Sequence, residues 1–277
     1  MKKTATGFTM ILSIAVLASG CGRSSGDSRA EVVPPGPGDI PESVLIPAQE
    51  VALGFVGSPS SSTKKLGSFR ISRSPVTAAQ YLACMRSGAC GEPAGVEQCT
   101  GQRPTSPLNG PTLEVTADGQ LPVTCVSSEQ AQGFCRWVGA TLPSLPQWLL
   151  AARGAAPQRY AWGDDPPTCE HHPWAYGAFV TPTSCCSGRA NCDLASLVRT
   201  GSHARGSAWS GIEDVLLTPG ELVAGATKDA DRECTGAGCV VHGHHGAIEG
   251  VTALGQAADS HVARLAASFR CVWEDGQ

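Results

Sequence analysis

The amino-acid sequence predicts an α+β domain that is rich in loops and cross-linked by disulfide bonds. Three observations predict it: helical and strand patterns are few and short, glycine and proline number 33 and 20, and the chain contains 13 cysteines. The formal net charge is only -4 and no basic stripe is present. Nucleic acid is therefore not expected as a partner, because its phosphates are recognised by clustered cations.

The N-terminus has the features of an export signal. Lys2 and Lys3 form a short positive region, and the apolar stretch that follows has about 11 residues, against the roughly 20 of a membrane-spanning helix. Small residues then lead to Cys21, as expected for a lipoprotein signal peptidase. We predict a signal peptide over residues 1–20 and lipid on Cys21, which would attach the protein to a membrane. The alternative is an ordinary secretory signal that is cut near Gly20.

Residues 21–43 are predicted to be a disordered tether. Their Gly, Ser, Pro and acidic side chains bury too little apolar surface to offset the entropy of ordering. Gly22, rather than an aspartate, follows Cys21, which in a Gram-negative host favours the outer membrane. We therefore expect a lipid-anchored protein of the cell envelope whose residues 44–277 form one extracytoplasmic domain.

Three segments share one helix-start pattern, in which a Ser or Thr precedes a Gln by three residues. Thr77, Ser127 and Ser144 are the predicted N-caps of these capping boxes. A glycine is expected to end each helix, namely Gly88, Gly139 and Gly154. Short strands are expected around the helices at 44–46, 69–71, 240–241 and 269–272.

The cysteines are expected to form structural disulfides. Without Cys21, 12 of the 13 remain, and an even number in an oxidising compartment predicts up to six bridges. Zinc-type pairs with two intervening residues do not recur, which favours disulfides over metal binding. The pairing itself does not follow from the sequence.

Several short motifs occur in a fixed order, among them Pro122-Val123, Val126-Ser127, Leu142-Pro143-Ser144, Ala151-Ala152-Arg153-Gly154 and Tyr160-Ala161-Trp162-Gly163-Asp164. This order resembles the formylglycine-generating enzyme family, also called the sulfatase-modifying-factor domain. From Pro122 to Asp164, six landmarks follow the family spacing. The resemblance spans about residues 43–273 and implies a C-type-lectin-like α+β fold with little regular structure. The motif residues expected to build this fold are Trp137, Trp148, Arg153, Trp162, Phe269 and Arg270. The tryptophans suit a core, and Arg153 is expected in an ion pair or a carbonyl contact.

The resemblance weakens at the catalytic position. The family's enzymes bind copper(I) and activate oxygen with two cysteines, four residues apart, that follow an "RGGS" strand, since thiolates suit Cu(I). Here the matching strand is 240–245, and no cysteine lies between Gly246 and Ser268. Cys234 and Cys239 have the spacing but precede the strand. A glycine-rich loop closed by a disulfide is favoured for them, with copper ligation as the alternative.

Other metal sites are left open. Asp214 and Glu221 match two positions of the family's "DMxGNVWEW" motif, but Thr218 replaces its asparagine. Calcium prefers several oxygen ligands, so calcium is considered without naming a ligand. An imidazole site could be formed by His242, His244, His245 and His261, although histidines without metal are the favoured interpretation.

Two functions compete. The first is a non-catalytic binding or structural module on a lipid tether, with a variable face at about Val223–Ala267 and an unidentified protein or glycan ligand. The second is a copper- and oxygen-dependent oxidase that converts a cysteine of a protein substrate to formylglycine, using Cys234 and Cys239. The missing cysteine pair favours the first, and no cofactor is assigned to it. An iron enzyme that uses histidines is less favoured, because no characteristic histidine motif is evident.

Overall fold

The structure is a computed structural model. It describes residues 32–55, 62–93, 119–168, 170–171, 199–216, 220–225, 239–242, 248, 250–253 and 267–275. The helices are α1 (Ala78–Arg86), α2 (Ser128–Trp137) and α3 (Leu145–Arg153), with a 3-10 turn at Ala204–Gly206. The strands are β1 (Ser43–Ile46), β2 (Gln49–Ala52), β3 (Thr63–Leu66), β4 (Phe69–Ser72), β5 (Gly220–Val223), β6 (Cys239–His242), β7 (Gly250–Ala253), β8 (Ser268–Phe269) and β9 (Val272–Glu274).

The capping boxes predicted from the sequence are all formed. Thr77, Ser127 and Ser144 each accept from the backbone N–H three residues on, and the glutamine there bonds back to the cap. Helix α3 ends at Gly154, whose φ of 79° lies in the region that favours glycine. The three predicted helices are therefore confirmed, because the signals that start and stop them are local.

The first sheet joins the two ends of the domain. Its order is β1-β4-β9, with both pairs antiparallel, so the last strand of the chain pairs with β4. Phe69 and Ile71 point into the core, while Arg70 between them is exposed. Strands β2 and β3 form a separate antiparallel pair.

The second sheet carries the C-terminal strands in the order β7-β6-β5-β8. Strand β5 pairs antiparallel with β6 and parallel with β8. The parallel contact places Leu222 opposite Phe269, and both side chains are buried. It also brings the segment that follows β8 next to β5.

Two apolar clusters make up the described core. One packs α3 against the first sheet, around Trp148, Ile46 and Ile71. The other packs α1 and α2 against β5 and β8, where the Phe134 ring lies 6.1 Å from Tyr81 and 5.6 Å from Phe269 between centroids. Burying one such side chain fully contributes roughly 1.5–3 kcal/mol.

The cysteines form disulfide bonds, as predicted. Cys84 pairs with Cys90, and Cys135 on α2 pairs with Cys271 across a sequence separation of 136 residues. Cys125 and Cys239 are disulfide-bonded as well. The six described cysteines are thus all bridged, and the others lie outside the described residues.

Part of the segment predicted as a tether contacts the helices. The compact unit begins at Val32. The backbone N–H of Val33 donates to the Ser87 carbonyl at 3.3 Å, and Trp137 Nε1 donates to the Val33 carbonyl at 2.9 Å. Composition missed this docking because both contacts come from the far ends of α1 and α2. Residues 1–31, including Cys21 and the predicted signal peptide, lie outside the described residues.

None of the described helices has the length and apolar character needed to span a bilayer.

Candidate functional site

The centre of the domain is a buried ion pair between Arg270 and Glu221. Arg270 Nε donates to Glu221 Oε2 at 2.7 Å and Nη2 donates to Oε1 at 3.0 Å, and both side chains are fully buried. Trp148 Nε1 and the Leu216 N–H donate to the same carboxylate at 2.9 and 3.0 Å. Four donors thus occupy the roughly four lone-pair positions of the carboxylate, so Glu221 does not fit the role of a calcium ligand.

The remaining N–H groups of Arg270 bind backbone carbonyls. Nη1 donates to Ser72 and Arg73 at 3.3 and 2.8 Å, and Nη2 donates to Glu213 and Asp214 at 2.7 and 3.1 Å. All five guanidinium donors are therefore satisfied. Arg270 ties the end of β4 to the segment before β5, and thereby holds the second sheet in place.

Asp214 lies beside this network but is less well satisfied. Its Oδ2 accepts from the Gly201 N–H at 2.5 Å, whereas its buried Oδ1 accepts no hydrogen bond in the described part of the chain. Burial raises the pKa of Asp214 to about 6, although the Gly201 hydrogen bond and the charge of Arg270 act to lower it. Its φ of 56° is unusual for a residue with a side chain.

Arg153 is the second fully buried arginine. Its Nη2 donates to the Ala52 carbonyl at 2.7 Å, and the guanidinium carbon lies 5.3 Å from the centroid of the Phe55 ring. Nε and Nη1 have no acceptor among the described residues, and burial lowers the pKa of Arg153 to about 10. Of the two contacts that the sequence suggested, the structure contains the carbonyl contact.

The two other motif tryptophans lie away from the ion pair. Trp137 packs against Phe134, with 5.9 Å between ring centroids, and donates to Val33. Trp162 is stacked between Tyr160 and His171, at 4.9 and 5.0 Å between centroids, with both pairs of rings nearly parallel. The structure therefore brings Trp148, Phe269 and Arg270 together around Glu221 and β5, and places Arg153, Trp137 and Trp162 elsewhere.

A groove lies where α2 meets the end of β5. It encloses about 260 Å³ and is lined by Ser128, Glu129, Gln132, Arg136, Leu142, Ala224 and Gly225. Gln132 Oε1 accepts from the Leu142 N–H at 3.3 Å, and the Ala224 N–H donates to Pro143 at 2.8 Å, so α2 and β5 are both held to the loop between α2 and α3. The sequence reasoning missed this site, since its α2 residues look like an ordinary solvent-facing helix surface.

Cys239 begins β6 opposite Val223, at the end of β5 near the groove. It is fully buried and disulfide-bonded. Cys234, His244, His245 and His261 lie outside the described residues. Within the part of the chain that the structure covers, no three His, Cys, Asp or Glu side chains gather in a way that could hold a metal ion.

Comparison with protein families gives a match to the sulfatase-modifying factor enzyme 1-like domain over residues 29–185, more than half of the chain. The formylglycine-generating enzyme of Streptomyces coelicolor is 42% identical over 57 residues, which cover 20% of this chain and 18% of that protein. The formylglycine-generating enzyme of Mycobacterium tuberculosis is 44% identical over 43 residues, 16% and 14% of the two chains. These matches thus span less than a fifth of the curated relatives.

Two solved structures share the fold at low identity. CarF superimposes with a TM-score of 0.55 at 15% identity, covering 85% of this chain and 99% of that one. PvdO from Pseudomonas aeruginosa gives 0.53 at 17% identity, covering 85% and 95%. The α+β fold expected from the motifs is therefore confirmed, and the chain belongs to the family of sulfatase-modifying factor enzyme 1-like domains.

Proposed function

We propose that the protein is a lipid-anchored, extracytoplasmic binding or structural module that uses the family's domain without its oxidase chemistry. The observation that carries this proposal is the state of Cys239, which is fully buried and disulfide-bonded. A Cu(I) site requires thiolates, and a sulfur in a disulfide does not supply one. The sequence also has no cysteine from Gly246 to Ser268, where the family's enzymes carry theirs.

The motif residues that are present support a scaffold role. Glu221 and Arg270 use their hydrogen-bonding capacity on each other, on Trp148 and on the backbone. A group engaged in this way holds strands together and is not free to contact a substrate. The groove beside β5 instead offers partly exposed polar side chains, as a binding site for a protein segment or glycan would.

The lipid anchor is supported by the N-terminal pattern that ends at Cys21 and by the bridged cysteines, which require an oxidising compartment. Because the compact unit begins at Val32, the tether would consist of residues 22–31. Ten residues extend over at most roughly 33–36 Å. Pro34 and the prolines that follow it would then belong to the compact unit and not to the tether.

The anchor is tested by expressing the full-length chain in a Gram-negative host with a radiolabelled fatty acid. We expect label in the protein and its recovery in the outer-membrane fraction, and we expect Cys21→Ala to abolish the labelling. Unlabelled protein released as a soluble form would instead indicate an ordinary secretory signal.

The second candidate function is the copper-dependent oxidase. It is favoured by the relatives named formylglycine-generating enzymes, and Cys234 with Cys239 would then carry the reaction. Incubation with copper, reductant and a sulfatase-type peptide distinguishes the two. We expect the peptide cysteine to remain unmodified. Its conversion to formylglycine, lost in Cys239→Ser but retained in Cys84→Ser, would establish the oxidase.

A further inference from the structure

The groove beside β5 has opposite charges at its two ends. Glu129 lies in the first turn of α2 and Arg136 in the last turn, and both side chains are exposed and line the groove. Seven residues of α-helix return to within about 20° of the same face. They advance about 10.5 Å along the axis. The carboxylate and the guanidinium therefore lie on one side of the helix, two turns apart.

Between these charges the groove is suited to a peptide backbone. Leu142 and Ala224 provide an apolar floor, and Gly225 adds no side chain. The amide of Gln132 lies midway and accepts from the Leu142 N–H through its oxygen, and its NH₂ group has no acceptor in the part of the chain that the structure describes. An amide NH₂ can donate to a peptide carbonyl.

The volume of the groove limits the size of the ligand that it can hold. A volume of about 260 Å³ lies just below the range of roughly 300–1,000 Å³ that is usual for clefts holding drug-sized ligands. Three extended residues span at most roughly 10–11 Å. That length matches the rise of about 10.5 Å along α2 from Glu129 to Arg136.

We propose that the groove binds a short, extended peptide of about three small residues by its two charged ends. The free α-amine would lie at Glu129, the free carboxylate at Arg136, where a guanidinium can bind it in a bidentate manner, and the central carbonyl at Gln132. The inference rests on the proposed function, because it names the ligand class of the binding module.

Calorimetric titration of the full-length protein with trialanine tests the inference. We expect saturable binding to one site, and binding at least tenfold weaker for N-acetyl-trialanine and for trialanine amide, since each lacks one charged end. Arg136→Gln and Glu129→Gln should each weaken trialanine binding by tenfold or more. Arg86→Gln is the matched control: Arg86 occupies the last turn of α1, is exposed and does not line the groove.

Two results would overturn the inference: no saturable binding of trialanine, or an affinity that neither the blocked ligands nor the Arg136 variant changes. The blocked peptides keep the test decisive even if a variant folds poorly. Failure of this inference can be distinguished from failure of the proposed function, because the proposed function is tested separately by incubation with copper and a peptide. If the protein neither binds trialanine nor oxidises the peptide, only the assignment of the ligand is wrong.

Discussion

Two of the arginines that the structure describes are fully buried, and their surroundings differ sharply. Arg270 faces the Glu221 carboxylate and four backbone carbonyls, so its charge and all its donors are compensated. Arg153 contacts one carbonyl and one aromatic ring, and two of its nitrogens have no acceptor within the described ranges. Both residues belong to family motifs, yet burial alone does not predict which of them stabilises the fold more. The number of hydrogen-bond acceptors around each guanidinium group predicts it.

The largest effect is expected for Arg270→Met. This change leaves Glu221 charged and buried without its cation, and losing one partner of a buried pair typically costs about 3–5 kcal/mol. Urea unfolding followed by tryptophan fluorescence measures the change in the free energy of unfolding. Arg70→Met is the control, because Arg70 lies on β4 with an exposed side chain. A loss below about 1 kcal/mol for Arg270→Met would show that the ion pair does not stabilise the domain.

Breaking the bridge next to Arg270 should have the next largest effect. Cys271 is bonded to Cys135, and this link closes a loop over a sequence separation of 136 residues. Replacing both cysteines by alanine should lower the free energy of unfolding by roughly 2–5 kcal/mol. The double replacement of Cys84 and Cys90, which are only 6 residues apart, should cost less, because a short loop restrains the unfolded chain less. Equal losses for the two pairs would contradict this expectation.

The sequence predicted local features well, since the signals for them lie within a few residues. The capping box of Thr77 and Gln80 is an example. Strands β2 and β3 were missed, because polar side chains at Gln49 and Glu50 in β2 and at Lys64 and Lys65 in β3 interrupt any alternation of apolar side chains. The fold class came from the order of the motifs. The partnership of Glu221 with Arg270 could not be foreseen, because 49 residues separate them, and the groove requires α2, β5 and the intervening loop to meet.

Asp214 has one group inside the compensated network of Arg270 and one group that is poorly compensated. We expect it to have a smaller, pH-dependent effect on the free energy of unfolding. Its carbonyl belongs to the compensated network around Arg270, whereas one oxygen of its carboxyl, Oδ1, is buried without a hydrogen-bond donor among the described residues. Its pKa is about 6 in the folded state against 3.8 as the ordinary value. The folded protein therefore binds the proton more tightly than the unfolded chain. This group destabilises the fold above about pH 6, and the penalty declines as the pH falls through 6 towards 4.

Asp214→Asn should remove this pH dependence. We expect the variant to be more stable than wild type by about 1–2 kcal/mol at pH 7, and the advantage to vanish near pH 4. Thermal unfolding of both proteins at pH 7, 6, 5 and 4 measures it. An advantage that is constant with pH would mean that the carboxyl of Asp214 is not responsible.

The smallest effect is expected for Arg153→Met. The change removes the hydrogen bond to Ala52 and the contact with the Phe55 ring, but it also removes a buried charge for which the described residues provide no counter-ion. These contributions oppose each other, so the free energy of unfolding should change by less than about 1.5 kcal/mol. Denaturant unfolding beside Arg270→Met compares the two arginines directly. Similar losses of unfolding free energy in Arg153→Met and Arg270→Met would mean that the surroundings of an arginine do not determine how much it stabilises the fold.

The proposal that the domain lacks oxidase chemistry is tested most directly by titrating the full-length protein with Cu(I) under ascorbate, which leaves disulfides intact. Cys239 is buried in a disulfide, so we expect no tight stoichiometric Cu(I) binding by the wild-type protein. One tightly bound Cu(I) per chain that disappears in Cys239→Ser would show an open thiolate site, and the protein would then be an oxidase of its family.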